Sequence, residues 1–275
     1  MNLTQQKPLL FAENKEEVIN SYIFFDTETT GTEEDDRIIQ IAAIVTNNIP
    51  EENNYTLNEL VSSPVPIKIE AMETHHITPN MIETKSTFNE NEIIKTFFKK
   101  INNQSNFLIA HNINFDIEQL KKEGFENETH LIDTLRIAKH LYQKEVNSLR
   151  LQHLRYAFEL YKLETNELEN NPYLENIILS AHDALGDVVV LKLLFKKLFK
   201  DIQERFELTN KQKVIEKMIE LTNTPVLIYK FNFGKHKDKT FEEVAKTDRN
   251  YLEWLSKNME QKDLDLTYTI KHYLS

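Results

Sequence analysis

Short, strongly apolar runs rich in β-branched and aromatic residues alternate along this chain with longer segments whose apolar positions recur at helical spacing. Tyr22-Ile23-Phe24-Phe25 and Ile38-Ile39-Gln40-Ile41-Ala42-Ala43-Ile44-Val45 have the pattern of buried strands rather than helices, and the polar stretch joining them favours hairpin-like pairing. Phe107-Leu108-Ile109-Ala110 reads as a further strand. Helices are predicted over 89–101, where Ile93, Ile94, Phe97 and Phe98 share a face, over 115–122 with a stop at Gly124, and over 134–141 and 149–160. A long helix over 184–199 buries Val188, Leu191, Leu194, Phe195 and Leu198. Strand–helix alternation of this kind indicates an α/β domain.

The flanking segments differ in character. Residues 1–20 read as a polar surface lead-in with a helical stretch at Glu16-Glu17-Val18-Ile19, the acidic, amide-rich 166–171 as a loop, and 207–224 as a helical connector ending at Pro225. The expected division is therefore a lead-in (1–20), an α/β domain (21–205), a connector (206–224) and a small α+β module (225–275). A chain of 275 residues with 40% hydrophobic content can bury one good core and a small second unit. In the terminal module Thr240 and Glu243 make a capping box, and Asp248 caps a second helix bearing Tyr251, Leu252, Trp254 and Leu255. The module carries nine Lys or Arg against eight Asp or Glu, whereas residues 1–224 hold 24 against 36.

Composition excludes several classes of chemistry. With no cysteine, disulfide frameworks and thiolate metal sites are ruled out, and the oxygen and imidazole ligands that remain favour a hard cation such as Mg²⁺ or Mn²⁺. Four glycines, Gly31, Gly124, Gly186 and Gly234, are too few and too scattered for a Walker-type or dinucleotide-binding loop. The net charge of −11 argues against a broad basic face gripping a long duplex, although carboxylates loaded with metal present a positive site to phosphate. No segment approaches the roughly 20 apolar residues of a membrane span, and the first residues lack a secretory pattern, so a cytoplasmic protein without membrane contact is expected.

Three distant stretches bring in chemistry: Asp26-Thr27-Glu28-Thr29-Thr30-Gly31, His111-Asn112-Ile113-Asn114-Phe115-Asp116 and His182-Asp183-Ala184-Leu185-Gly186-Asp187. In an extended strand Asp26 and Glu28 project to the same side, an arrangement that is costly without a cation. Asp116 falls in the first turn of a helix directly after a buried strand, near the rim where α/β sites collect. Taken in this order, the four carboxylates and His182 resemble the signature of the DEDDh, DnaQ-like 3′–5′ exonucleases over roughly residues 21–200. A histidine five places before the last Asp distinguishes this branch from the tyrosine-containing one, and position 183, where that tyrosine would fall, is Asp.

The resemblance implies an RNase H-like mixed β-sheet flanked by helices and an active phosphodiester hydrolase. By family roles, Asp26, Glu28 and Asp187 would bind one divalent ion and Asp26 with Asp116 a second, with His182 as general base toward the attacking water. Thr29, Thr30 and Gly31 would line the terminal nucleotide, with Phe115 beside the last base. His75-His76-Ile77-Thr78 resembles the family's H-G-I-T segment with His76 in place of glycine, and Asp133 is read as structural. The run from Phe233 to Val244, followed by Tyr251-Leu252-Glu253-Trp254-Leu255, resembles the small domain that follows some exonuclease X-like nucleases. There Lys235, Lys237 and Lys239, interleaved with aromatics, would retain a single strand. The expected substrate is a DNA 3′ end, single-stranded or frayed, with a polymerase or repair partner left open. An RNA-trimming enzyme of the RNase T or oligoribonuclease kind is an alternative, as is a non-catalytic end-binding or polymerase-docking subunit.

Overall fold

The computed structural model describes residues 21–47, 52–169, 174, 183–258 and 263–275. The predicted lead-in, 1–20, lies outside them. Five strands, β1 (Ser21–Thr29), β2 (Ile38–Asn47), β3 (Glu52–Leu60), β4 (Phe107–Ala110) and β5 (His130–Asp133), form one sheet in the order β3-β2-β1-β4-β5. β1, β2 and β3 pair antiparallel, while β4 and β5 join β1 in parallel, so the sheet is mixed as expected. The hairpin-like pairing of the first two strands is present, with Phe24 opposite Ile44. β3 and β5 carry weaker apolar signals than their neighbours and have no counterpart in the sequence reading.

Alternation along β1 divides the core into two layers. On one face Phe24, Ala42 and Ile44 pack against α5 (Thr134–Tyr142), α6 (Leu151–Ala157), α8 (Ala184–Arg205) and α9 (Lys211–Asn223). On the other, Ile23, Phe25, Ala43 and Val45 meet α3 (Glu92–Ile101) and α4 (Ile113–Lys122). The segment read as a connector thus contributes Val214, Ile215 and Met218 of α9 to the main core. Two short helices, α1 (Ile69–His75) and α2 (Pro79–Ile82), cover the end of the sheet near Thr29. α8 is the central strut, with Val188, Leu194, Leu198 and Ile202 completely buried. No helix among the described residues is long and apolar enough to cross a membrane.

The loop predicted over 166–171 is a correction: residues 166–169 belong to α7 (Glu164–Glu169), and 170–171 lie outside the described residues. Two of its acidic side chains, Glu164 and Glu167, are buried and matched by cations. Arg155 forks onto Glu164 at 2.6 and 2.7 Å, and Glu167 pairs with Lys192 and Lys196, each at 2.6 Å. The predicted helix over 149–160 is also shorter, ending at Ala157, because Glu159 turns into the left-handed region at φ 55°. His76, standing where the resembling segment has glycine, caps α1 at φ 61°, a conformation that glycine adopts with less strain.

Beyond α9, a separate apolar cluster of Phe231, Phe241, Val244, Leu252, Leu255, Leu266 and Ile270 is built from α10 (Phe241–Thr247), α11 (Arg249–Asn258) and α12 (Leu264–Leu274). Phe231 and Phe241 stack at 3.8 Å, and the extended contribution among the described residues is a bridge between Lys230 and Thr240. The predicted capping box of Thr240 and Glu243 is formed. Polar contacts centred on α5 hold this segment to the sheet domain. Arg136 donates to both Asp265 carboxylate oxygens, at 3.0 and 3.2 Å, and to the carbonyls of Thr222 and Thr224, each at 2.7 Å. Asp265 also accepts from the Val226 amide at 2.9 Å. Removing one member of such a shielded pair leaves the other charge unmatched, so Arg136→Ala should lower unfolding free energy by about 3 kcal/mol in urea titration. Asp265→Ala in the Arg136→Ala background should then add little, and additive losses would show that the two residues act independently.

Candidate active site

The strand period sets the first half of the site. Asp26 and Glu28 share the face of β1 that looks toward α8, and Asp187, in the first turn of that helix, meets them there. One potential ligand atom from each of the three lies within 4.8 Å of the others. Asp183 caps α8, accepting from the Gly186 amide at 3.1 Å, and thereby fixes the start of the helix that carries Asp187. Opposite Glu28 in the sheet stands Gln40, whose Nε2 donates to Asn58 Oδ1 at 3.0 Å. Directly beyond that pair the register shifts, with Thr29 opposite Ile38, so Ile39 is a bulge residue that ends regular pairing at the site.

Asp116 arrives from the other layer. It lies in the first turn of α4, after the turn formed by His111 and Asn112, the latter left-handed at φ 79°. Thr27, which points away from Asp26 and Glu28, donates from Oγ1 to Asp116 Oδ1 at 2.8 Å. Among the described residues Asp116 is therefore adjacent to the trio without being one of its mutually close members. His111 is structural: Nε2 donates to the Leu149 carbonyl at 2.7 Å, and burial lowers its pKa, favouring the neutral ring. Asp133 takes the structural role expected of it, accepting from the amides of Asn112, Leu135 and Arg136 and so tying the β4 turn to the start of α5.

Electrostatics distinguish this group from an ordinary acidic surface. Burial, followed by the charges of Asp116, Glu28 and Asp187, raises Asp26 well above the usual carboxylate range. Burial and then Asp187, Asp116 and Asp183 push Glu28 up to about 8, so the charges acting on it among the described residues are carboxylates. Asp116 is raised to about 7, mainly by burial, with the Thr27 hydrogen bond opposing the shift. Carboxylates gathered in this way fit a hard divalent cation, which would supply the missing positive charge through oxygen coordination.

The remaining site candidates divide by location. Thr29 donates to the Gly31 carbonyl at 2.6 Å, and Thr30 donates to Asp36 at 2.8 Å, so both hydroxyls serve the turn itself. A side chain at Gly31 would meet Asp36 Oδ2 at 2.5 Å and Lys68 Cδ at 2.7 Å, which explains the glycine. His75 Nε2 donates to the Thr29 carbonyl at 3.2 Å while its Nδ1 accepts from the Ile77 amide at 2.9 Å, bracing the same turn. Phe115 is half-buried in α4, outside the two sheet-flanking clusters. Lys235 is held by Asp248 at 2.6 Å, whereas Lys237 and Lys239 are exposed and unpaired with carboxylates among the described residues. His182 lies outside the described residues. The sequence reading assigned no part to Thr27, Gln152 or Asp183, because their significance depends on contacts between distant segments.

The raised carboxylates have a direct consequence for stability. Because Glu28 and Asp116 have folded-state pKa values above their unfolded values of 4.5 and 3.8, the native state retains protons that the unfolded chain releases. Their contribution is fully present below about pH 4 and is lost as pH rises through about 7 and 8. In EDTA the melting temperature should therefore fall between pH 5.5 and 8, less steeply in Glu28→Gln, and saturating Mg²⁺ or Mn²⁺ should restore it. An equal slope in wild type and Glu28→Gln would contradict the assigned cause.

Comparison with known proteins places the chain in a family. The model of the exonuclease family matches residues 23–195, and that of the exodeoxyribonuclease X-like C-terminal domain matches residues 231–260. The chain is 28% identical over 250 residues to exodeoxyribonuclease 10 of Escherichia coli (strain K12), covering 90% of this chain and 96% of that protein. It is 31% identical over 157 residues to DNA polymerase III subunit epsilon of Buchnera aphidicola, covering 50% and 63%. In fold it is similar to exonuclease X in complex with 5′ overhanging duplex DNA, with a TM-score of 0.51 and 22% identity over 74% of this chain and 99% of that one. The nuclease domain of 3′hExo, a DEDDh family member bound to rAMP, gives a TM-score of 0.50 at 13% identity, over 68% and 94%. The chain belongs to the exonuclease family, as a 3′–5′ exonuclease of the DnaQ and exonuclease X type.

Proposed function

We propose that the enzyme removes nucleoside 5′-monophosphates from DNA 3′ ends, single-stranded or frayed, in repair or proofreading, with two divalent cations, Mg²⁺ or Mn²⁺, at its carboxylates. The observation that carries this reading is the convergence of Asp26, Glu28 and Asp187 within 4.8 Å, where burial and neighbouring carboxylates raise Glu28. Asp26, Glu28 and Asp187 hold one cation, and Asp26 with Asp116, approaching from opposite faces of the sheet, hold the other. Bound there, the cations supply Lewis acidity and neutralise charge on a phosphodiester.

His182 takes the proton of the attacking water, an assignment supported by its place five positions before Asp187 and beside the helix-capping Asp183. Thr29, Thr30 and Gly31 line the terminal nucleotide through backbone, since the threonine hydroxyls are engaged inside the turn. Phe115 packs against the last base. DNA is favoured over RNA by the likeness to exodeoxyribonuclease 10 along 90% of the chain and by the matching terminal segment. The likeness to DNA polymerase III subunit epsilon supports a polymerase or repair assembly as partner and the cytoplasm as the place of action.

The 225–275 module is a unit of its own on the strength of its separate apolar cluster. Lys237 and Lys239, with Lys235 beside Tyr251, increase retention of a strand by phosphate contact and stacking.

Incubation with 5′-labelled DNA and RNA oligomers and Mg²⁺ should produce a 3′-shortening ladder on DNA, abolished by EDTA and by Asp26→Asn. A ladder confined to RNA would replace the substrate, and none on either would favour an end-binding role. His182→Ala should lower the rate by ~10²–10⁴-fold, and wild-type activity should decline below about pH 6.5 as the imidazole is protonated. A residually active His182→Ala enzyme with the same pH profile would remove His182 as base. Joint replacement of Lys237 and Lys239 by Ala should shorten processive runs on long single strands and flatten the dependence on salt. Unchanged runs and salt response would assign those lysines to solubility alone.

A further inference from the structure

Of the three mutually close carboxylates, Asp187 is the one carried by a helix, and a contact from outside the site orients it. Gln152 on α6 donates from Nε2 to Asp187 Oδ1, across 35 positions of sequence. Its other amide atom, Oε1, accepts from Arg155 Nη1 at 3.2 Å, three residues further along the same helix. The guanidinium is in turn forked onto Glu164 of α7, Nε to Oε1 at 2.6 Å and Nη2 to Oε2 at 2.7 Å, and both side chains are largely buried. This determines which way the amide faces. Reversed, its carbonyl would oppose the Asp187 carboxylate and its NH₂ would oppose the guanidinium, two repulsions in place of two hydrogen bonds.

We propose that Gln152 is a positioning residue for metal binding: the Glu164–Arg155–Gln152 relay holds Asp187 in the orientation that a divalent cation shared with Asp26 and Glu28 requires. The inference rests on the reading of Asp187 as a ligand. Without the cation, Asp26 and Glu28 repel Asp187 wherever they are ionised, and a carboxylate turns readily about its Cβ–Cγ bond. A donor locked from behind by a buried ion pair opposes that turning. Binding then needs less rearrangement of the ligand, and the benefit appears in metal affinity rather than in contact with nucleic acid.

Mn²⁺ binding is measured by titration calorimetry on nucleic-acid-free protein, comparing wild type with Gln152→Met, Gln152→Ala and Asp187→Asn, each checked by circular dichroism for a native fold. Methionine keeps the length of the side chain and removes both hydrogen bonds, while alanine provides a second variant if methionine disturbs packing. Either folded variant should bind Mn²⁺ about 10-fold more weakly, and the KM for a DNA oligomer at saturating metal should stay at the wild-type value. Wild-type Mn²⁺ affinity in a folded Gln152 variant, with binding lost in Asp187→Asn, overturns the relay and leaves the ligand assignment standing. Undiminished binding in Asp187→Asn overturns the ligand assignment and the role of Gln152 together.

Discussion

Mutual repulsion of buried carboxylates at the end of β1 is the constraint around which the molecule is organised. The two-residue period of an extended strand sets Asp26 and Glu28 side by side, and the first turn of α8 adds Asp187. Isolated acidic groups would lower this cost by turning into water. Here the backbone that bears them lies between two apolar layers and cannot move, because Phe24 and Ile44 on one face and Phe25 and Ala43 on the other are fully packed. Rigidity in the core thus keeps negative charge concentrated where a cation can meet it.

Around this group stands a set of oriented dipoles and ion pairs. Thr27 reaches through from the opposite side of the strand to Asp116, Asp183 caps the helix that carries Asp187, and Gln152 links Asp187 to the Arg155–Glu164 pair. Lys192, fully buried in α8, matches Glu167 and so fastens α7 beside the same helix. Among the described residues Arg155, Lys192 and Lys196 are committed to other acids, and the charges that raise Glu28 are carboxylates. An acidic protein of net charge −11 can therefore act on a polyanion, since the local field at the site is governed by what binds there rather than by the total.

The terminal helices are attached by a different kind of contact. Their aromatic and aliphatic cluster is separate from the sheet cores, and Arg136 joins Asp265 to the carbonyls at the end of α9. Arg136 lies three residues from Asp133, which also steadies the Asn112 turn leading to Asp116. One helix, α5, consequently borders both the terminal segment and the support of the carboxylate site. Polar, geometrically specific contacts of this kind define an orientation more sharply than apolar packing of equal area.

Much of this was legible in the chain itself. The strands at 22–25, 38–45 and 107–110 and the helix after Ala184 declared themselves by apolar period, and the spacing of Asp26 and Glu28 placed both on one face before any fold was known. Weakly apolar β3 and β5 did not, because edge strands need fewer buried side chains. Acidic α7 read as a loop since its charges are matched by Arg155, Lys192 and Lys196, partners that local pattern cannot identify. Residue type and order supplied the candidate ligands, and the family resemblance they carry implied how those ligands would be shared between cations. Only the tertiary structure brought Asp187 within 4.8 Å of the β1 pair, delivered Asp116 from the other layer and set Gln152 behind Asp187. Those relations depend on how the layers close over the sheet, a property of long-range packing that short-range periodicity does not encode.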